Sequence, residues 1–471
     1  MFKKYIKENQ LISNLQELIK IPSVYEEMQN DKEPFGKNTV KALEYALKLG
    51  EALGFRTKNI DNYCGYIEFG EGEELIGIIG HLDVVPEGEN WTYPPFEARL
   101  VDNKIYGRGA IDDKGPVVAS LYAMKAVMDY CTENSISINK RVRLILGLNE
   151  ERNWKCIEYY KQHEEIPSIG FSPDADFPCI YAEKGLISPF LIMDYSYYKN
   201  NDIVITSIDC NNNALNVVPK YCSCNISVKN GIKIDDVNNL VQNIVSELKF
   251  DIDTKIINNT ELKITSSGIQ AHAAHPDLGV NSISRLIILL DKLFKNYNIT
   301  IPLFDLFTKY IGLDYNGEKL NINIPDESGN LTLNVGKFYF KNDDLKIGFN
   351  LRVPINTKFE FIEDHFSTIC KEFNNVSCAF TGKKDPLYVS KDSYLVKTLC
   401  SIFNEVTSSH AEPIAIGGAT YARAFDNFVS FGANLPNQKD LCHQTDEFIS
   451  IDNLLLACDI YAKAIFELLF T

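Results

Sequence analysis

At 471 residues the chain has room for two or three domains, and 45% hydrophobic with 23% charged residues is the composition of a globular protein, not a disordered one. Its 47 basic and 63 acidic residues leave a formal charge of −16, which argues against a general nucleic-acid binder and against electrostatic attachment to anionic lipid. No apolar run approaches the roughly 18 residues that a membrane span needs, so no membrane association is expected. Twelve cysteines lie between Cys64 and Cys458 with no CxxC pair, and the basic N-terminus lacks an apolar signal region. Reduced thiols in a cytoplasmic protein are therefore expected.

The N-terminal segment reads as an amphipathic helix with Ile6, Leu11, Leu15 and Ile19 near one face. Residues 37–53 have helical spacing and stop near Gly54. Residues 75–80 (LIGIIG) and 141–148 (RVRLILGL) are short apolar runs, as strands buried on both faces should be. Residues 116–130 read as a helix with Pro116 in its first turn, 152–163 as another helix, and 168–173 as extended. Strands alternating with helices imply a mainly parallel sheet flanked by helices. After Gly185 the texture changes. Strand formers and Asn fill 187–230, and the Asn-rich run 211–213 predicts a loop. Helical patterns follow at 235–249 and 279–296, then 300–345 is irregular, 345–353 alternates like a strand and 358–373 reads as a helix. A helix at 392–406, a strand at 428–431 and a closing helix at 452–470 return to the earlier style. The expected architecture is an α/β domain formed by 1–184 and 386–471, interrupted by an α+β domain over 185–385.

Five short clusters carry candidate chemistry. In GHLDVVP (80–86), His81 and Asp83 follow a buried strand; His81 can bind a metal while Asp83 orients it, or the pair can be a strand end and a turn. In GRGAIDDKGP (107–116), Asp112 and Asp113 precede a helix and can simply cap it. Asn149–Glu150–Glu151 ends the second apolar strand, where two adjacent acids face different ways. SPDADFP (172–178) places Asp174 and Asp176 after another strand, and LCHQTDEF (441–448) contributes His443. Each cluster has a structural explanation alone. Together they bring two His and several acids to one sheet edge, the donor types that suit Zn²⁺ or Mn²⁺.

GHLDVVP, GRGAIDDKGP, NEE, SPDADFP and CHQTDE, in this order, resemble the M20 family of dinuclear metallopeptidases, and within it the PepV-type, Xaa-His or carnosinase-like dipeptidases. The resemblance implies a catalytic domain interrupted by a lid domain, and two divalent ions, Zn²⁺ first with Mn²⁺ or Co²⁺ as alternatives. His81 and Asp174 would each bind one ion, Glu151 and His443 the other, and Asp112 would bridge them and precede a cis peptide bond. Glu150 would be the general base acting on a metal-bridging water, and Asp83 would hold the His81 imidazole. From GIQAHAAHPDLGVN (268–281), His272 would stabilise the oxyanion with help from Asn216 of ALNVVP, while Arg352 of NLRVP would bind the substrate carboxylate. The loop GGATYAR would cradle the same carboxylate through Gly417, Gly418, Ala419 and Thr420. His275 stands where such dipeptidases carry another residue and receives no role. The implied activity is hydrolysis of dipeptides with a free C-terminal carboxylate; the alternative is an N-acyl amino-acid deacylase of acetylornithine or succinyl-diaminopimelate type. An insertion of roughly 200 residues matches the doubled lid of the dipeptidases better, and favours a monomer that completes its own site.

Overall fold

A computed structural model describes residues 1–27, 30, 32–211, 214–436 and 438–471. Of the Asn-rich run only Asn211 lies among them. The backbone divides into two compact units: Met1–Ala182 with Leu387–Ile414 and Ala419–Thr471, and Glu183–Pro386 with Ala415–Gly418.

The first unit is built on a sheet whose order is Arg56–Ile60, Cys64–Gly70, Arg141–Gly147, Leu75–His81, Ile169–Ser172, Phe428–Ser430, Ile180–Glu183 and Leu387–Tyr388. Its centre is parallel: Leu75–His81 pairs with Arg141–Gly147 and with Ile169–Ser172, and Ile169–Ser172 pairs with Phe428–Ser430. The strands Arg56–Ile60 and Cys64–Gly70 extend this centre antiparallel. Every residue of Leu75–His81 is buried, the signature of a strand covered on both faces. The helices Lys114–Glu133 and Ile451–Leu469 pack on each other, and Lys114–Glu133 also lies against Leu75–His81. Gly80 allows that approach, because a Cβ there would meet Asp113 Oδ2 at 2.4 Å and Val117 Cγ2 at 2.5 Å.

The second unit holds two four-stranded antiparallel sheets. One runs Thr332–Lys341, Asp344–Val353, Gly185–Asp194, Val376–Lys384; the other runs Ile203–Asp209, Tyr221–Val228, Glu261–Ser267, Ile252–Asn258. Helices Ile234–Leu248, Ser282–Asn296, Pro302–Tyr310 and Phe359–Lys371 join them in one apolar core that includes Leu191, Ile264, Leu289 and Phe349. The region 300–345, expected to be irregular, contains the helix Pro302–Tyr310 and the whole strand Thr332–Lys341. Pro302 opens that helix, where its missing N–H costs nothing. The helix expected from 279 begins at Ser282, where the Asn281 side chain accepts from Ser284 N. Cys210 and Cys222 are joined in a disulfide, so the expectation of twelve reduced thiols is corrected at this pair; the other ten cysteines are free. Among the described residues no helix is long and apolar enough to cross a membrane.

Candidate metal centre

The parallel register sets the first unit's site. His81 is the last residue of Leu75–His81 and lies opposite Gly147, the last residue of Arg141–Gly147. Glu150 and Glu151 follow that strand by three and four residues, and Asp174 follows Ile169–Ser172 by two. Three parallel strands therefore deliver a histidine and three acids to one carboxyl edge, where open α/β sheets bind ligands.

Two groups of donor atoms meet there. His81, Asp112 and Asp174 form one, Asp112, Glu151 and His443 the other, with the donor atoms in each group within 4.8 Å of one another. His81 Nε2 lies 3.1 Å from Asp112 Oδ1 and 3.5 Å from Asp174 Oδ2. His443 Nε2 lies 3.0 Å from Asp112 Oδ2 and 3.0 Å from Glu151 Oε1. Asp112 thus presents one oxygen to each group, and the peptide bond from Asp112 to Asp113 is cis.

Asp83 organises the edge. Its backbone carbonyl lies 2.8 Å from His81 Nδ1, so that nitrogen carries the hydrogen and donates. Its carboxylate is 3.6 Å from the ring and is occupied elsewhere: Oδ1 accepts from Glu150 N and Oδ2 from Glu151 N, each at 3.1 Å. Asp83 therefore holds the imidazole by its main chain and positions both glutamates by its side chain. Asp113, a candidate helix cap, makes no capping bond; its Oδ2 accepts from His81 N at 3.0 Å.

Burying so many acids shifts their protonation. Burial pushes Glu150 well above the ordinary carboxylate range and Glu151 up to about 7, and it raises Asp174. Burial also opposes charge on the two histidines, but the surrounding carboxylates overcome it, raising His81 well above its ordinary value and His443 to about 11. Asp112, raised by burial, is carried below its ordinary value by His443 and His81. His81 Nε2 is buried and has no hydrogen-bond partner, although two carboxylates face it. A bare imidazole lone pair against carboxylates is repulsive unless a cation or proton lies among them. The donor set of His, Asp and Glu with no Cys fits borderline and hard divalent ions.

Sequence reasoning missed Arg108 and Glu447. Glu447 is fully buried; Oε1 accepts from Ile111 N at 2.9 Å and from Asp112 N at 3.3 Å, while Oε2 accepts from Arg108 Nη1 at 2.6 Å. This pair fixes the main chain at Asp112, and burial raises Glu447 to about 7. Glu447 is the last acid of CHQTDE, yet nothing in the motif reveals that it is buried. Tyr421 was also missed: its ring meets the His81 imidazole edge-on at 6.1 Å, and its hydroxyl lies 2.8 Å from Cys156 Sγ.

The remaining candidates lie mainly in the second unit. Val217 pairs with His272 in a two-stranded ladder, and Ala273 N donates to Asn216 O at 2.9 Å, so Asn216 and His272 are neighbours on exposed chain. Asn334 Nδ2 donates to Leu215 O and Val217 O, pinning the segment that carries Asn216. Arg352 is only 5% exposed, which excludes a surface ion pair; Nε donates to Asn350 Oδ1 at 2.9 Å and Nη1 to Gly417 O at 2.7 Å. Gly417 and Gly418 belong to this unit, whereas Ala419 and Thr420 belong to the first. The Gly-rich loop leads not into an α-helix but into the four-residue 3-10 turn Tyr421–Ala424, which the Thr420 hydroxyl caps by accepting from Ala422 N.

Residues 77–467 match the profile of Peptidase family M20/M25/M40. The chain is 37% identical over 468 residues to the Bacillus subtilis (strain 168) protein named "Putative dipeptidase YtjP", covering 98% of each chain. It is 35% identical to a Staphylococcus epidermidis protein named "Putative dipeptidase", covering 98% of this chain and 97% of that one. Among solved structures, human carnosine dipeptidase 1 superposes with a TM-score of 0.60 at 14% identity, covering 100% of this chain and 98% of that one. At that identity the likeness is one of fold.

Proposed function

The chain belongs to peptidase family M20/M25/M40 and is a metallopeptidase, and from that premise we propose that it hydrolyses dipeptides bearing a free C-terminal carboxylate with two divalent ions, Zn²⁺ before Mn²⁺ or Co²⁺. The observation that carries the reading is the pair of donor groups sharing Asp112, with Glu150 beside them on the same Asp83-anchored turn. His81, Asp112 and Asp174 would hold one ion, and Asp112, Glu151 and His443 the other. Ions bound there would supply a coordinated water of lowered pKa and polarisation of the scissile carbonyl.

The protein's own groups do the rest. Glu150 accepts a proton from the attacking water as the new C–O bond forms. As the C–N bond breaks, Glu150 delivers the proton to the leaving amine, so the proton count closes. Asp83 keeps Glu150 and His81 in register throughout. His272, aided by Asn216, donates to the oxyanion, and Arg352 with the Gly417–Thr420 loop receives the terminal carboxylate. A site that holds the terminal carboxylate one residue from the scissile bond releases a single C-terminal residue, and one that also closes over the amino end limits substrates to dipeptides. The protein acts as a monomer in the cytoplasm, on small peptides and not on nucleic acid or membranes.

The test is a panel of dipeptides and N-acyl amino acids assayed after chelation and after restoration with Zn²⁺, Mn²⁺ or Co²⁺. Dipeptide turnover lost on chelation and regained with metal is the expected result. Turnover confined to the N-acyl amino acids would replace this reading with the deacylase one.

A further inference from the structure

The second unit contains a polar cavity of about 410 Å³ lined by Lys184, His275, Asp277, Tyr315, Asn330 and Thr332, with Gly417 in its wall. Its lining draws on the segments that carry His272 and Gly417, but Lys184, His275, Asp277, Tyr315, Asn330 and Thr332 have no role in the proposed reaction. Its walls are tied to the two groups expected to grip a substrate. On one side, His275 N donates to His272 O at 2.9 Å, so His275 closes the turn that presents the oxyanion donor. On the other side, the Gly417 carbonyl accepts from Arg352 Nη1, the carboxylate-binding guanidinium. Lys184 N donates to Ile416 O, and Lys184 Nζ donates to Asn330 O, which places this ammonium in the inner wall at 9% exposure.

The order of groups along a dipeptide fixes what can enter. On that reading the scissile carbonyl would face His272 and the terminal carboxylate Arg352; between them stand the peptide nitrogen and the α-carbon of the C-terminal residue. A side chain on that carbon would leave the backbone between those two anchors, and the cavity is walled by His275 and Gly417, each hydrogen-bonded to one of them. We propose that this cavity receives the side chain of the substrate's C-terminal residue and that Lys184 and His275 make it select an acidic one. The inference rests on the dipeptidase reading above.

The charges support an anion. Lys184 is a buried ammonium, and burial together with the neighbouring Arg352 lowers its pKa against the pull of Asp326. A carboxylate brought alongside would offset part of the cost of holding that charge out of water. His275 is exposed at the mouth and can donate a second hydrogen bond. Asp277 also lies at the exposed rim, so a lysine-containing substrate is the natural competitor. A side chain of four or five heavy atoms fits the volume, which lies within the usual range for ligand pockets.

The experiment compares kcat/KM of the metal-loaded protein for alanyl-glutamate, alanyl-aspartate, alanyl-alanine and alanyl-lysine. Alanyl-glutamate should exceed alanyl-lysine by about tenfold or more, the scale of one charge-assisted contact. Lys184→Met should bring that ratio close to one, chiefly through KM, and His275→Gln should lower it part of the way. If Lys184→Met does not melt cooperatively, His275→Gln decides, since that side chain is exposed. Cleavage of alanyl-alanine with no acid preference overturns the inference and leaves the dipeptidase reading standing. So does an acid preference that both variants retain. Failure to cleave any dipeptide removes that reading, and the inference with it.

Discussion

The two units carry their polar groups in opposite ways. In the first, His81, Glu150, Glu151 and Asp174 stand at or just past the ends of buried parallel strands, and main-chain contacts to Asp83, Asp113 and Glu447 fix the surrounding chain. In the second, His272, His275 and Asn216 occupy exposed turns, and the cations Arg352 and Lys184 are the buried members. One unit concentrates acid in a fixed frame, which suits metal ions; the other concentrates donors, which suits the carboxylates and oxyanion of a peptide. Chemistry and recognition are separable on this reading, and each can be damaged without the other.

The largest effect should come from the acid frame. Glu150→Gln should cut kcat by about 10²- to 10⁴-fold, the range for a lost general base, while elemental analysis finds the metal content unchanged. Loss of metal from that variant would move Glu150 from proton transfer to metal retention. Glu447→Gln should act one step further out: it removes charge from the carboxylate that fixes the Asp112 main chain, and metal affinity should fall roughly 10- to 100-fold in competition with a chelator. Excess metal should rescue much of its activity, which a general folding defect would not allow.

The donor-rich unit should respond differently. Arg352→Lys keeps the charge but loses the planar fork, so kcat/KM on free dipeptides should fall about tenfold with metal binding intact. Equal losses on C-terminally amidated peptides would show that Arg352 does not read the carboxylate.

The smallest effect is a pH dependence of stability. Glu151 is raised from 4.5 to about 7 and His443 from 6.5 to about 11, so the folded metal-free protein binds more protons than the unfolded chain across both windows. Stability then falls as pH rises, and the Tm of the chelated protein should drop from about pH 4.5 to about pH 7 through Glu151 and from pH 6.5 on toward about pH 11 through His443. Metal needs the deprotonated ligands, so the Tm gain on adding Zn²⁺ should widen over the same interval. A gain independent of pH would mean that these groups do not bind the metal.

Legibility in the sequence followed burial. Residues 75–80 and 141–148 read as strands because both faces are covered and the runs are continuously apolar. The neighbouring strand Arg56–Ile60 was not readable, since four of its five residues are exposed or half-exposed and polar, and it is held by pairing to Cys64–Gly70. The helix expected from 152 starts at Lys155 because Trp154 adopts a left-handed φ of 60°, which no local pattern announces. His81, Asp112, Glu150, Glu151, Asp174 and His443 were visible as motif residues, and the structure draws them together at one edge. Arg108 and Glu447 were not, because their contact joins positions 339 residues apart and depends on both being buried.

The shared carboxylate of Asp112 has a further consequence for how the centre fills. One side chain that faces His81 with Oδ1 and His443 with Oδ2 cannot settle on one side without constraining the other. On the two-ion reading proposed above, occupancy of the two positions would be linked: the first ion to arrive would orient a ligand for the second, and by reciprocity the second would tighten the first. Partly loaded molecules should be scarce, and a titration with metal should pass from empty to full more steeply than two independent sites allow.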